Sequence, residues 1–171
     1  MYGTKMAIVA GGAPRDWYFN KEASDIDVFF YGITSASVTK KRLKAVGIDV
    51  LEIKSGDNIP EHYKRNPELF AVYNASIDGV PVQLMQMKSP TFDSVVPKFP
   101  LSICKVWYKN GHIIFEKHFT NSVKHRVIYI TNDLYNNADG FIAKIKGKFP
   151  EFKFFNHYHE ALEHILENSH A

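Results

Sequence analysis

The chain has 171 residues, 45% hydrophobic and 23% charged: enough for one domain with a real core, short for the two or three domains that many nucleic-acid enzymes use. These fractions exclude wholesale disorder and fibrous structure, and a net charge of +3 permits RNA or nucleotide phosphates as partners without identifying them. The single cysteine, Cys104, excludes an intramolecular disulfide, and no apolar run approaches the roughly 20 residues of a membrane span, so the expectation is a soluble, cytoplasmic protein.

The apolar run Met6 to Ala10 enters Gly11-Gly12 and then Ala13-Pro14-Arg15-Asp16-Trp17-Tyr18-Phe19, which predicts a strand, a glycine turn and a short helix with Pro14 in its first turn. Ser24 to Tyr31 predicts a central strand with a polar start. Ser35 to Val46 predicts a helix capped by Ser35 or Thr34, with Lys40, Lys41 and Lys44 opposite its apolar face. Ile48 to Ile53 is strand-like, and Ser55 to Pro67 is polar and turn-rich. Phe70 to Ala75 and Val80 to Met87 form a hairpin about Asp78-Gly79, and Cys104 to Tyr108 and His112 to Phe115 a second about Asn110-Gly111. Val127 to Thr131 is a further short strand.

The C-terminal third changes period. Phe141, Ile142 and Ile145 fit one helix, and Phe155, Tyr158, Leu162, Ile165 and Leu166 fit another after Pro150. The expected fold class is therefore α+β, a mixed sheet flanked by helices with helices at the C-terminus. One domain over 1–171 is expected, with a C-terminal helical subdomain over 132–171 as a conceivable division.

Asp25 and Asp27 stand two apart in the predicted strand, so both carboxylates lie on one face, an oxygen donor set suited to Mg²⁺ or Mn²⁺ carrying nucleotide phosphates. A solvated strand edge explains the pair equally well on spacing alone. The preceding glycine turn adds unpaired N–H groups a few residues upstream, with Arg15 as a charged phosphate contact and Asp16 as the residue that organises Arg15 or the turn.

The run Gly11-Gly12-Ala13-Pro14-Arg15-Asp16, eight residues, then Asp25-Ile26-Asp27 resembles the head-domain signature of the polymerase-beta-like nucleotidyltransferase superfamily. It is especially similar to that of class II tRNA CCA-adding enzymes and bacterial poly(A) polymerases, and small stand-alone, phage-type members are nearer in size, which would place the chain in a host cytoplasm. The resemblance spans roughly residues 6 to 87. It implies that Gly11 and Gly12 cradle an NTP's triphosphate and that Asp25 and Asp27 ligate the metal. The implied activity is transfer of a nucleoside monophosphate to a hydroxyl or amino group of an RNA, protein or small-molecule acceptor, releasing pyrophosphate.

Three positions depart from the family pattern. Pro14 replaces a Val, Asn20 stands where a Gly follows the short helix, and Gln83 occupies the place of a third Asp or Glu. Glutamine ligates metal only through its carbonyl oxygen and brings no charge. Asp49, Glu52, Asp78 and Asp93 are candidate substitutes, though a regular strand turns Asp49 and Glu52 to opposite faces. The alternative function is accordingly a catalytically silent nucleotide- or RNA-binding protein on the same fold.

The remaining features read as bland. The lysines at 40, 41 and 44, and those at 144, 146 and 148, fit solvated helix faces as well as an RNA backbone. Trp107 becomes a base-stacking candidate only if it lines the site. His157 and His159, if helical, point to opposite sides.

Overall fold

In the computed structural model, which describes residues 7–64, 66–90, 95–132 and 138–169, the N-terminal apolar run forms β1 (Ala7–Ala10) and ends at Gly11, whose φ of 84° leaves the strand region. α1 (Gly12–Tyr18), β2 (Asp27–Tyr31), α2 (Ala36–Ala45), β3 (Asp49–Ser55), α3 (Glu61–Lys64), β4 (Leu69–Ile77) and β5 (Val80–Met87) follow. β6 (Val106–Lys109) and β7 (His112–Phe115) complete a seven-stranded sheet of order β3-β4-β5-β2-β1-β6-β7. β2 and β5 pair in parallel, whereas β1 with β2, β1 with β6, β3 with β4 and β4 with β5 are antiparallel. The fold is α+β, as the sequence predicts.

Both hairpins turn where the sequence places them. Asp78 and Gly79 have φ of 50° and 79°, Asn110 and Gly111 of 52° and 81°, the two positive values that a type I′ turn requires. Ser35 caps α2 by accepting the Val38 N–H. β2 begins at Asp27, three residues later than the predicted start at Ser24; Asp25 and Ile26 form only a lead-in, whose Ile26 carbonyl accepts the Gln83 N–H.

One sheet face packs Ala71, Tyr73, Ala75, Val82 and Leu84 against Val28, Phe30 and Leu43 of α2. Gln86 is fully buried on this face: its carbonyl oxygen accepts from the Tyr73 and Thr39 hydroxyls, and its amide donates to the Ile33 carbonyl at 2.7 Å. Thus α2 is stitched to the sheet by a satisfied polar network inside an apolar layer.

By internal packing the chain forms two compact units. The first comprises the described residues up to Val95 with Trp107–Ile114; the second comprises Val96–Val106 and those from Phe115 onward. In the second, α4 (Lys117–His125), β8 (Val127–Tyr129), α5 (Ala138–Lys148), β9 (Lys153–Phe155) and α6 (Tyr158–Ser169) surround a core of Val127, Tyr129, Ala161 and Ile165. Phe155, expected in the last helix, lies instead in β9, parallel to β8, where the alternation after Pro150 suits a strand. α6 therefore starts at Tyr158, leaving His157 outside it, and the His157 and His159 rings stack at 5.5 Å rather than pointing apart.

Cys104 is buried, as a small hydrophobe would be. Lys105 is also buried and donates to the Pro97 carbonyl; burial lowers its pKa, partly opposed by Glu116. His118 Nδ1 meets the Tyr129 hydroxyl at 2.8 Å, and burial pushes that phenol up to about 12, so it stays a donor. Burial, then Lys105 and Lys117, hold the His118 pKa below its ordinary 6.5.

Two outcomes are expected. Gln86→Leu takes the acceptor from the buried Tyr73 hydroxyl and leaves the Ile33 carbonyl to the Thr39 hydroxyl alone, so the urea-unfolding free energy falls by about 1–3 kcal/mol. Because folded His118 protonates at lower pH than unfolded His118, unfolding takes up a proton as pH drops below 6.5; stability declines in that window and levels off below the folded pKa. In His118→Phe, thermal melts across pH 7 to 5 lose that part of the slope.

Candidate functional site

The site grows from strand register. Asp27 pairs with Ala10 of β1 on one side and with Gln83 of β5 on the other; Gln83 pairs with Asn74 of β4, and Asn74 with Glu52 of β3. Residues paired across strands share a face, so Asp27, Gln83, Asn74 and Glu52 make one polar row on the face opposite α2. The row is hydrogen-bonded: Asn74 Nδ2 donates to Glu52 Oε2 at 2.8 Å, and the Tyr63 hydroxyl of α3 donates to Gln83 Oε1 at 2.8 Å. Trp107 pairs with Ala10 and so continues the row on the other side of Asp27, with only a methyl between.

The glycine turn closes on this row. A Cβ at Gly11 would lie 3.2 Å from Asp27 Oδ2, so the missing side chain is what lets the turn approach the carboxylate. Gly11 also has φ 84° and ψ −139°, a conformation that glycine adopts and side-chain-bearing residues avoid. Gly12 opens α1, and a Cβ there would meet the Arg15 guanidinium at 3.1 Å. Arg15 is 4% exposed and Asp16 1%, with Arg15 Nε donating to Asp16 Oδ1 at 2.8 Å. Asp16 thus organises Arg15, and the guanidinium packs beneath the turn. Asn20, at φ 54°, takes the left-handed conformation that asparagine tolerates better than most residues, which explains how it fills a glycine position.

Gly11, Gly12, Arg15, Asp16, Asp27 and Gln83 are linked by these pairings. Asp25 is exposed in the lead-in to β2, two residues before Asp27. Of the substitute carboxylates, Glu52 shares the face of Asp27 but stands three strands away; Asp49 is on that same face rather than the opposite one, because a bulge between Val50 and Glu52 shifts the register, and Asp78 sits in its hairpin turn. Asp93 lies outside the described residues. Lys40, Lys41 and Lys44 are exposed on α2, which covers the other face of the sheet. Tyr63 and the row beyond Gln83 escape a reading of sequence, because α3 is a single turn within a polar stretch and the row depends on long-range register.

The oxygens of Asp25 and Asp27 are hard donors, and Gln83 adds an amide carbonyl that Tyr63 already engages, beside a turn whose glycines leave room for the Asp27 carboxylate and the Arg15 guanidinium. This donor set fits a Mg²⁺ or Mn²⁺ ion. Among the described residues, no group of three His, Cys, Asp or Glu side chains is placed to hold a metal ion.

Gly47 supplies the control for Gly11, because it has a similar φ of 85° with nothing within 4 Å of where a Cβ would sit. Gly47→Ala is expected to cost about 1 kcal/mol of backbone strain, and Gly11→Ala about 1–3 kcal/mol because its methyl also crowds Asp27. Chemical denaturation of the two variants measures the difference.

No protein-family model matches the sequence, and no curated protein matches it. Solved structures do. A tRNA-processing enzyme in an apo form aligns with TM-score 0.61 at 15% identity over 95% of this chain and 42% of its own. A CCA-adding enzyme with CTP aligns with TM-score 0.60 at 13% identity over 95% of this chain and 39% of its own. A tRNA nucleotidyltransferase complexed with a primer tRNA and an incoming ATP analog aligns with TM-score 0.56 at 16% identity over 96% of this chain and 47% of its own. The chain thus spans less than half the length of each. The likeness also runs well past residue 87, where the motif resemblance stops. The chain has the nucleotidyltransferase-like fold.

Proposed function

We propose that the protein is a metal-dependent nucleotidyltransferase that transfers a nucleoside monophosphate from an NTP to a hydroxyl or amino group and releases pyrophosphate. The observation that carries this reading is the approach of the Gly11 turn to Asp27, so close that a Cβ would crowd the carboxylate at 3.2 Å, with Gln83 in register beside it. The CTP, ATP-analog and primer-tRNA complexes of structures with this fold support NTP and RNA as partners. A protein or small-molecule acceptor fits the same chemistry.

In this mechanism the backbone amides of the Gly11-Gly12 turn hold the triphosphate, and the buried Arg15–Asp16 pair keeps the turn in shape from below. Asp25 and Asp27 would hold Mg²⁺ or Mn²⁺, which when bound supplies Lewis-acid stabilisation of phosphate charge and eases loss of the acceptor's proton. The acceptor oxygen or nitrogen bonds to the α-phosphorus as the bond to the β-phosphate oxygen breaks. Pyrophosphate leaves, and no covalent protein nucleophile takes part. Catalysis is positioning and electrostatics.

A second reading, nucleotide or RNA binding without transfer, is favoured by one observation: the residue beside Asp27 is an amide whose carbonyl already accepts from Tyr63. The deciding experiment incubates the protein with Mg²⁺ or Mn²⁺ and each NTP, with and without RNA and cellular protein, and follows pyrophosphate release together with label transfer. Release and transfer that fall by about 10²-fold or more in Asp25→Ala/Asp27→Ala are the expected result. NTP binding with no transfer establishes the silent reading instead.

A further inference from the structure

We propose that Tyr63 holds Gln83 as a hydrogen-bond donor beside Asp27, so that the site takes one divalent cation with its nucleotide and no second; this rests on the nucleotidyltransferase reading above. The Gln83 backbone is fixed by its N–H donating to the Ile26 carbonyl at 2.9 Å, and the parallel register puts its side chain on the face of Asp27.

A glutamine amide has two unlike ends: a carbonyl oxygen that can ligate metal, and an NH₂ that only donates. The Tyr63 hydroxyl engages the first end at 2.8 Å. The second end attracts oxygens, whether of the Asp27 carboxylate or of a bound phosphate, and disfavours a cation. Asn74, the next residue in the row, does the same thing in full view: its Nδ2 donates to the Glu52 carboxylate at 2.8 Å. An amide in this row therefore answers an acidic side chain by hydrogen bonding.

Charge points the same way. Asp25 and Asp27 bring two negative charges, matched to one divalent ion. A second ion, even with the nucleotide's phosphate oxygens on one side, would call for another anionic side-chain oxygen to hold it to the protein. Glu52, on the same face, is separated from Asp27 by the two intervening strands and is engaged by Asn74. Tyr63 is on this view a positioning residue. It is carried by the single turn of α3, where its N–H donates to the Pro60 carbonyl at 2.8 Å.

The test counts Mn²⁺ bound per chain, by electron paramagnetic resonance and calorimetry, with an α,β-methylene ATP analog present. The wild type is expected to bind one ion, lost in Asp27→Ala. Tyr63→Phe removes only the hydroxyl and frees the Gln83 carbonyl, so Mn²⁺ affinity rises about two- to tenfold, the worth of one hydrogen bond. That gain disappears in Tyr63→Phe/Gln83→Leu, which controls for any change in folding. Gln83→Asp adds a second ion. Two ions on the wild type, or a Tyr63→Phe affinity equal to wild type, overturns this inference while leaving the nucleotidyltransferase reading intact. Mn²⁺ binding that ignores Asp27→Ala overturns both.

Discussion

The parallel pairing of β2 with β5 is the constraint on which the site depends. It sets Asp27 beside Gln83, and through β4 and β3 it extends that pair into a row ending at Glu52. A slip of one residue would turn every one of these side chains to the other face. The register is held because both faces carry buried apolar residues. Leu84 packs toward α2, while Phe29 and Met85, paired with each other, are buried on the face of Asp27. Burial on two sides leaves no alternative register that hides the same surface. Polar geometry at Asp27 is thus a product of apolar packing one residue to either side.

The turn before α1 depends on the same pairing from the other direction. Ala10 is the last residue of β1 and the partner of Asp27, so the chain must leave the sheet immediately next to the carboxylate. Gly11 makes that exit possible by its positive φ and its missing Cβ. The Arg15–Asp16 pair then fills the space under Gly12 with a buried, mutually neutralising couple. A buried ion pair is a poor source of net stability, since desolvation offsets most of the attraction. Its value here is orientation: it fixes the shape of the turn beside Asp27.

Much of this was legible in sequence wherever the chemistry is local. Asp78-Gly79 and Asn110-Gly111 specify their turns through φ, Ser35 specifies a cap, and Gly11-Gly12 followed by Pro14 specifies an exit into a helix. Gln83 was singled out in sequence, and the register sets it beside Asp27. What sequence did not reveal is non-local. Tyr63 belongs to a single helical turn with no periodic signal, yet it makes a hydrogen bond that orients Gln83. Trp107 entered the row of Asp27 only through the pairing of β6 with β1. Phe155 was drawn into a helix by its spacing from Leu162, although β9 claims it by pairing with β8. Period identifies an element's faces, but only register decides which residues meet across them.

The distribution of charge over the two faces bears on what an acceptor can touch. α2 presents Lys40, Lys41, Arg42 and Lys44 to solvent, while its buried side, through Thr39 and Leu43, binds the sheet face opposite Asp27. The sheet and the helix therefore lie between these cations and the carboxylate row. Exposed charges lose most of their influence beyond about 8 Å at physiological salt, so this cluster contributes little to the field at the row. Among the described residues, the Asp27 face offers amides, a tyrosine hydroxyl and carboxylates, with Lys54 paired to Glu52 at 3.8 Å at the far end of the row. Recognition there runs through hydrogen bonds at defined positions, with net charge playing the smaller part.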